Sequence, residues 1–85
     1  MSRSGKIAAI NRKRGMVAIE TNDDGYTIFE LLSDFEIEIG DEIRWSNDYG
    51  MGHENYRNVT KEITEEVYVQ NHSVSQSNLR QQLLL

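Results

Sequence analysis

The chain has 85 residues, no cysteine and a formal net charge of −5 at pH 7. This length suits one domain near the lower size limit for a single apolar core, and it excludes two domains. The lack of cysteine excludes disulfides and thiolate zinc sites, so packing must stabilise the fold. The first ten residues contain no long apolar run, and no segment reaches the roughly 20 apolar residues of a membrane-spanning helix. We therefore expect a cytoplasmic protein with no membrane partner.

Alternating apolar and polar residues predict a series of short strands joined by turns. The first two strands form a hairpin around a basic turn, in which Gly15 is expected to adopt a positive φ. Ile7, Val17 and Ile19 share the inward-facing phase of this hairpin, and Asp24-Gly25 marks the next turn. A sixth segment, residues 65–70, either extends the fifth strand or adds another. The five predicted strands are residues 6–11, 16–21, 26–31, 42–46 and 56–63.

This pattern predicts an all-β fold, a small five-stranded antiparallel barrel. Residues 1–70 form the barrel, and residues 71–85 form a C-terminal tail or short helix. In the tail, Leu79 and Leu83 lie one helical turn apart, but so short a helix needs a surface on which to dock. That surface is either the chain's own barrel or a second copy of the chain, and a frayed tail is the alternative.

Charge is unevenly distributed along the sequence. Residues 1–19 contain five bases and no acid, whereas residues 20–66 contain all 14 acids. A block of like charge is most often a solvated surface, and an electrostatic binding surface is the alternative. Where the basic block meets a polyanion, the acidic remainder opposes it, so we expect weak binding that depends strongly on salt.

Several short motifs occur in a recognisable order along the chain. They are Gly5-Lys6-Ile7, Asn11, Arg14-Gly15, Ile19, Asp24-Gly25, Gly40-Asp41-Glu42-Ile43 and Asn58-Val59-Thr60. This series resembles the cold-shock domain family over residues 5–62. The resemblance implies a barrel of the oligonucleotide/oligosaccharide-binding (OB) type that binds single-stranded RNA or DNA across strands two and three. Bases in that family stack on exposed aromatic rings.

The stacking rings of the family are replaced in this chain. Ala9 and Ile10 stand at its Trp-Phe pair, Met16 and Ala18 stand at two aromatic positions, and Glu30 replaces a histidine. Losing three stacking positions removes roughly 3 to 9 kcal/mol of binding free energy if the contributions add. The carboxylate of Glu30 also repels phosphate. The remaining nucleic-acid contacts that we predict are Lys6, Arg12, Lys13 and Arg14, with Tyr26 and Tyr56 as stacking residues.

An apolar patch takes the place of the missing rings, and such patches on small proteins commonly mark protein contacts. The alternative is that Leu79 and Leu83 of the same chain cover it. The predicted protein-interaction patch consists of Ala9, Met16, Ala18, Ile28 and Leu31.

We expect no catalytic residue, metal or cofactor. His53 and His72 are isolated histidines, and a zinc site needs three or four ligands at defined spacing. No phosphate-cradling glycine loop or nucleophile motif is present in the sequence. The sequence therefore predicts a non-catalytic cold-shock-like binding module with single-stranded RNA or DNA as a weakly bound ligand. The alternative is a module that binds a protein partner or forms a homodimer through the apolar patch.

Overall fold

The computed structural model describes residues 3–22, 24–32, 36–47 and 49–84. Within these ranges the chain forms six strands followed by a short helical segment. A 3₁₀ turn (Gln76–Asn78) leads directly into α1 (Leu79–Gln82). The strands are β1 (Arg3–Asn11), β2 (Met16–Thr21), β3 (Tyr26–Leu31), β4 (Glu42–Trp45), β5 (Gly52–Asn58) and β6 (Ile63–Val74).

The sheet closes into a small antiparallel barrel with the strand order β1-β2-β3-β6-β5-β4, and β4 pairs back with β1. It consists of two three-stranded units, which we call the first meander (β1–β3) and the second meander (β4–β6). Closure gives each strand a partner on both sides and so protects backbone groups that an open sheet would expose. This architecture is compatible with an OB-fold-like barrel.

The barrel has six strands, so the prediction of five was wrong. The sequence pattern suggested one strand over residues 56–63, but β5 ends at Asn58 and β6 begins at Ile63. The side chain of Asn58 explains the break, because its Oδ1 accepts a hydrogen bond from the backbone N–H of Lys61 at 2.9 Å. Glu62 has a φ of 58°, which completes the turn. Asparagine side chains that bond nearby backbone groups favour turns over continued strands.

The barrel interior contains the main apolar cluster, which includes the three residues that alternation places inside the first hairpin. Aromatic rings fill its centre: Trp45 stacks on Tyr56 with ring centroids 4.7 Å apart, and Phe29 lies 5.5 Å from Tyr56. The buried members of this cluster are Ile7, Val17, Ile19, Phe29, Ile37, Ile43, Trp45, Tyr56, Val67 and Val69.

A β-bulge at Ala8 changes the phase of β1. Ile7 pairs with Ile19, whereas Ala9 pairs with Ala18, so one residue of β1 has no direct partner in β2. As a result Ile7 and Ile10, three positions apart, both pack against the interior cluster. Simple alternation from Ile7 would have turned Ala9 inward. The bulge instead places Ala9 on the outer face of the sheet.

Two negative findings apply to the residues that the structure describes. No helix there has the length and apolar character needed to cross a membrane. In the same ranges, no group of three or more histidine, aspartate or glutamate side chains is arranged to hold a metal ion.

Candidate functional site

The outer face of the first meander is apolar and built from small or flexible side chains. Strand pairing aligns Ala9 with Ala18 and Ala18 with Ile28, so these three side chains form one row across the sheet. Met16 lies on the same face, next to Glu30 on β3. This is the surface on which the family resemblance places the ligand, and aliphatic side chains occupy it here.

The C-terminal segment covers this face, and we call residues 75–84 the C-terminal cap. Leu83 is only 1% exposed and packs with Met16, Ala18 and Ile28 in a second buried cluster that also includes Val74. Fully burying a leucine side chain stabilises a fold by about 1.5 to 3 kcal/mol. The patch is therefore covered within the same chain, which is one of the two docking surfaces that the sequence left open for Leu79 and Leu83.

A buried hydrogen bond attaches the cap to the barrel. Nδ2 of Asn11, at the end of β1, donates to the backbone carbonyl of Leu83 at 2.7 Å. Leu83 in turn closes the short helix, because its backbone N–H donates to the carbonyl of Leu79 at 2.9 Å. The side chain of Leu79 is partly buried against the same cluster. The cap thus combines two apolar anchors with one polar contact.

Leu31 does not belong to the patch, so this part of the prediction was wrong. On β3 the side chains of Thr27, Phe29 and Leu31 share one phase, and Leu31 packs against the interior cluster. Alternation along β3 alone would have placed it there. The family pattern had instead aligned it with an outward-facing aromatic position.

Tyr56 does not reach the surface, so its predicted role as a stacking residue was also wrong. Its side chain is 0% exposed and lies between the rings of Trp45 and Phe29. Burial raises the pKa of the Tyr56 phenol above its ordinary value. A ring enclosed in the barrel cannot stack on a base.

Tyr26 lies at the edge of the covered face. Its ring packs against the second cluster and is only partly exposed, and its hydroxyl donates to Oε2 of Glu20 at 3.2 Å. Burial, and then this hydrogen bond to Glu20, raise the pKa of the Tyr26 phenol. One side of the ring is thus already occupied by the protein.

The basic turn at residues 12–14 is exposed beside this face. Gly15 has the expected positive φ, 67°, and its carbonyl accepts a hydrogen bond from the backbone N–H of Leu31 at 2.8 Å. Nη2 of Arg12 donates to the carbonyl of Ile37 at 2.9 Å, which ties this side chain to the loop before β4. Lys13 and Arg14 form no ion pair with any residue that the structure describes.

Lys6 is separated from the basic turn. It lies on β1 directly opposite Glu20 of β2 and Glu42 of β4. Six residues of strand at about 3.3 Å each put it roughly 20 Å from Arg12. Because two acids flank it, Lys6 contributes little free positive charge to a shared anion site.

An open cavity of about 400 Å³ lies between the cap and the first meander, next to the basic turn. Sequence reasoning missed it, because the cap supplies three of its side chains from a segment whose position the strand pattern does not determine. Within it, Nε2 of Gln70 donates to Oε1 of Glu30 at 3.4 Å. The lining residues are Arg14, Met16, Glu30, Gln70, Gln81, Gln82 and Leu84.

A cluster of buried polar side chains lies at the β5–β6 turn, where the side chains hydrogen-bond to one another. Nδ2 of Asn58 donates to Oδ2 of Asp41 at 3.0 Å and to Oε2 of Glu65 at 3.3 Å. Burial raises the pKa of Glu65, whereas for Asp41 the hydrogen bonds from Asn58 and the backbone of Glu38 outweigh burial and lower the pKa. These groups fix the turn and the loop before β4.

A second polar cluster lies at the other end of β6. His72 Nε2 is 3.0 Å from the carbonyl of Gly50, so this nitrogen donates, and its Nδ1 is 3.0 Å from Oγ1 of Thr27. The hydroxyls of Tyr49 and Ser73 both donate to Asp24, and these bonds, that of Tyr49 first, lower the pKa of Asp24. The cluster joins loop 49–51 to the barrel. Its groups are hydrogen-bonded to one another and to the backbone of the loop.

Comparison with models of known protein families, with curated proteins and with solved structures finds no match to this chain.

Proposed function

We propose that the protein is a non-catalytic binding module that holds short single-stranded nucleic acid at the rim of the first meander, between the basic turn and the C-terminal cap. The observation that carries this proposal is the position of Arg14. Its guanidinium is exposed, forms no ion pair with a described residue, and borders an open cavity on the outer face of β2 and β3. Lys13 adds a second free cation beside it.

The cold-shock resemblance of residues 5–62 supports the same ligand class, and a closed OB-like barrel is the architecture it implies. The mode of binding differs from the family's. Since the stacking face is aliphatic and lies under Leu83, the backbone phosphates supply most of the attraction. Two or three phosphate contacts on a single strand give a dependence of log K on log salt of roughly −1.4 to −2. Raising salt from about 20 to about 150 mM should therefore weaken binding roughly 15- to 60-fold.

The test is a titration with a short single strand of mixed sequence at low salt, using the variant Lys13→Ala with Arg14→Ala. Arg12 is left in place because its hydrogen bond to Ile37 supports the loop. Arg44→Ala with Arg57→Ala removes the same charge from the second meander, where these two arginines lie opposite each other on β4 and β5.

The proposal expects the first pair to lose binding by at least tenfold and the second pair to lose less than about threefold. Equal losses of affinity in the two variants would mean that the strand is held by the overall charge and not by a particular site. That result would overturn the assignment of the site.

A second candidate function is self-association through the same face. The observation that favours it is that the cap is short, and a second copy carries an identical cap with the same two leucines. Exchange of caps between two chains would preserve every contact of Leu83. A dimer whose population rises with concentration in size-exclusion chromatography, and which Leu83→Glu abolishes, is the expected result. A monomer at all concentrations would exclude it.

A further inference from the structure

The cavity beside the cap brings together groups from three separate parts of the chain. The basic turn supplies Arg14, the sheet supplies Met16, Glu30 and Gln70, and the cap supplies Gln81, Gln82 and Leu84. Its volume of about 400 Å³ falls within the 300 to 1,000 Å³ typical of small-ligand sites. The site exists only when the cap is docked, because the cap forms one of its walls.

The two charged groups of the cavity keep their capacity for hydrogen bonding. Neither Arg14 nor Glu30 forms an ion pair with any residue in the described ranges. The one side-chain hydrogen bond of Glu30 found there is the long one from Gln70, at 3.4 Å. The cavity therefore offers a negatively charged hydrogen-bond acceptor, the carboxylate of Glu30. It also offers a positively charged group, the guanidinium of Arg14, that can donate two parallel hydrogen bonds.

This pair of charges constrains the orientation of any ligand. A phosphate is repelled by the carboxylate of Glu30 and attracted by the guanidinium of Arg14, so it must lie on the side of the basic turn. The group facing Glu30 must then carry N–H donors. Leu84, which is 57% exposed, provides the main apolar contact for a flat ring, and Met16, which is 6% exposed, adds only its edge at the cavity wall.

We propose that this cavity binds a guanine nucleotide unit, with the N1–H and N2–H groups of the base donating to Glu30 and the phosphate contacting Arg14. Among the common bases, guanine alone presents two adjacent N–H donors on its Watson–Crick edge. In adenine, cytosine and uracil each donor on this edge has an acceptor directly beside it, which a carboxylate repels, whereas the acceptor O6 of guanine lies on the far side of N1–H from N2–H. The amides of Gln70, Gln81 and Gln82 can donate or accept, so they complete the contacts without choosing the base.

This inference rests on the proposed function and adds the base preference of the same site. Bidentate pairing between a side chain and a base edge gives roughly 5- to 150-fold discrimination. Because Glu30 is partly exposed, we expect a value near the lower end. A single nucleotide carries both the base that faces Glu30 and one phosphate for Arg14, so mononucleotides are enough to measure the preference, while a longer strand adds phosphate contacts at the basic turn.

The experiment measures the affinities of guanosine, adenosine, cytidine, uridine and inosine monophosphates by heteronuclear NMR titration at low salt. We expect the guanosine compound to bind at least about fivefold more tightly than the other four. Inosine monophosphate is the sharpest comparison, because it differs from the guanosine compound only in lacking the N2 amino group. Shifts should centre on Arg14, Glu30, Gln70 and Gln81.

Two matched variants test whether the carboxylate of Glu30 causes the preference for guanine. Glu30→Gln should reduce binding of guanosine monophosphate to the level of the other nucleotides. Glu66→Gln makes the same chemical change on the exposed face of β6, outside the cavity, and should leave the preference intact. Dispersed spectra of both variants confirm the fold, and the inosine comparison on the unaltered protein does not depend on any variant.

The outcomes separate the two proposals. Binding of single strands through the basic turn with equal affinities for all five nucleotides would overturn the guanine site and leave the proposed function standing. A preference that survives Glu30→Gln would also overturn the guanine site. Failure of both single strands and guanosine monophosphate to bind at low salt would overturn both proposals.

Discussion

The two meanders of the barrel are covered to different extents. In β2, four consecutive residues, Met16 to Ile19, are buried, because the barrel interior packs on one side of the strand and the cap on the other. In β6, exposed and buried residues alternate from Thr64 to Gln70, because only its inner face is covered. A strand buried on both faces belongs to a three-layer arrangement. The cap thus adds a third layer to the first meander alone, and the cavity forms where that layer ends.

The difference in coverage between the two meanders should depend most strongly on Leu83, the main apolar anchor of the cap. Leu83→Ala should lower the free energy of unfolding by about 2 to 3 kcal/mol, because it leaves a cavity above Met16, Ala18 and Ile28. Leu84→Ala is the matched control, since this neighbouring leucine is 57% exposed and its truncation should change stability by less than about 0.5 kcal/mol. Chemical denaturation measures both. Equal effects would mean that the cap does not cover the first meander in solution.

Glu65, on β6 of the second meander, should make the stability of the protein depend on pH. Burial raises the pKa of Glu65 above its usual 4.5, so the folded state holds this proton more tightly than the unfolded state. Stability is then greatest below pH 4.5 for this group and falls as the pH rises through the raised pKa. Glu65→Gln should remove that decline. Denaturation midpoints between about pH 4 and 8 measure it, and an unchanged slope in the variant would contradict the assignment.

Asp41 in the same cluster should act in the opposite direction at lower pH. Burial works to raise its pKa, but the hydrogen bonds from Asn58 and from the backbone of Glu38, together with Lys61, lower it below the usual 3.8. Its contribution to stability is therefore complete above pH 3.8 and is lost as the pH falls through the lowered pKa. Asn58→Ala should shift acid unfolding to higher pH. Acid titration followed by circular dichroism tests this, and an unchanged midpoint would contradict it.

The smallest effect on the free energy of unfolding is expected for removal of the hydroxyl of Tyr56, whose ring lies at the centre of the barrel. The hydroxyl of Tyr56 is buried and has no hydrogen-bond partner among the described residues. Tyr56→Phe should therefore be neutral or stabilising by up to about 1 kcal/mol, because it removes an unsatisfied polar group. It should leave ligand binding unchanged. A loss of stability above 1 kcal/mol would indicate that the hydroxyl has a partner.

The sequence predicted the class of fold and the first hairpin because both depend on local patterns. Alternation placed Ile7, Val17 and Ile19 inside, and the glycine rule placed a positive φ at Gly15. The strand count was wrong because Asn58 breaks the alternation through a side-chain hydrogen bond, which a hydropathy pattern does not register. The bulge at Ala8 also does not follow from the hydropathy pattern, because it depends on how β1 pairs with β2.

The candidate site was harder to predict than the fold. Alternation along β3 predicts that Leu31 points inward with Phe29, as the structure has it, whereas the family pattern places Leu31 at an outward-facing aromatic position. The unbroken apolar run of Met16, Val17, Ala18 and Ile19 is typical of a strand covered on both faces, and it is the signal in the sequence that points to the cap. The cavity could not be predicted, since it depends on where Gln81 and Gln82 come to rest after the chain reverses at residue 75.

The most direct test of the account is a heteronuclear NMR titration of the whole chain with a short single strand containing guanine, at about 20 mM and then about 150 mM salt. The account predicts shifts confined to the basic turn, Glu30, Gln70 and the cap, which weaken as salt rises, while Arg44 and Arg57 on the second meander stay unchanged. Shifts centred on those two arginines, or none at low salt, would contradict the claim that the covered wall of the barrel carries the binding site.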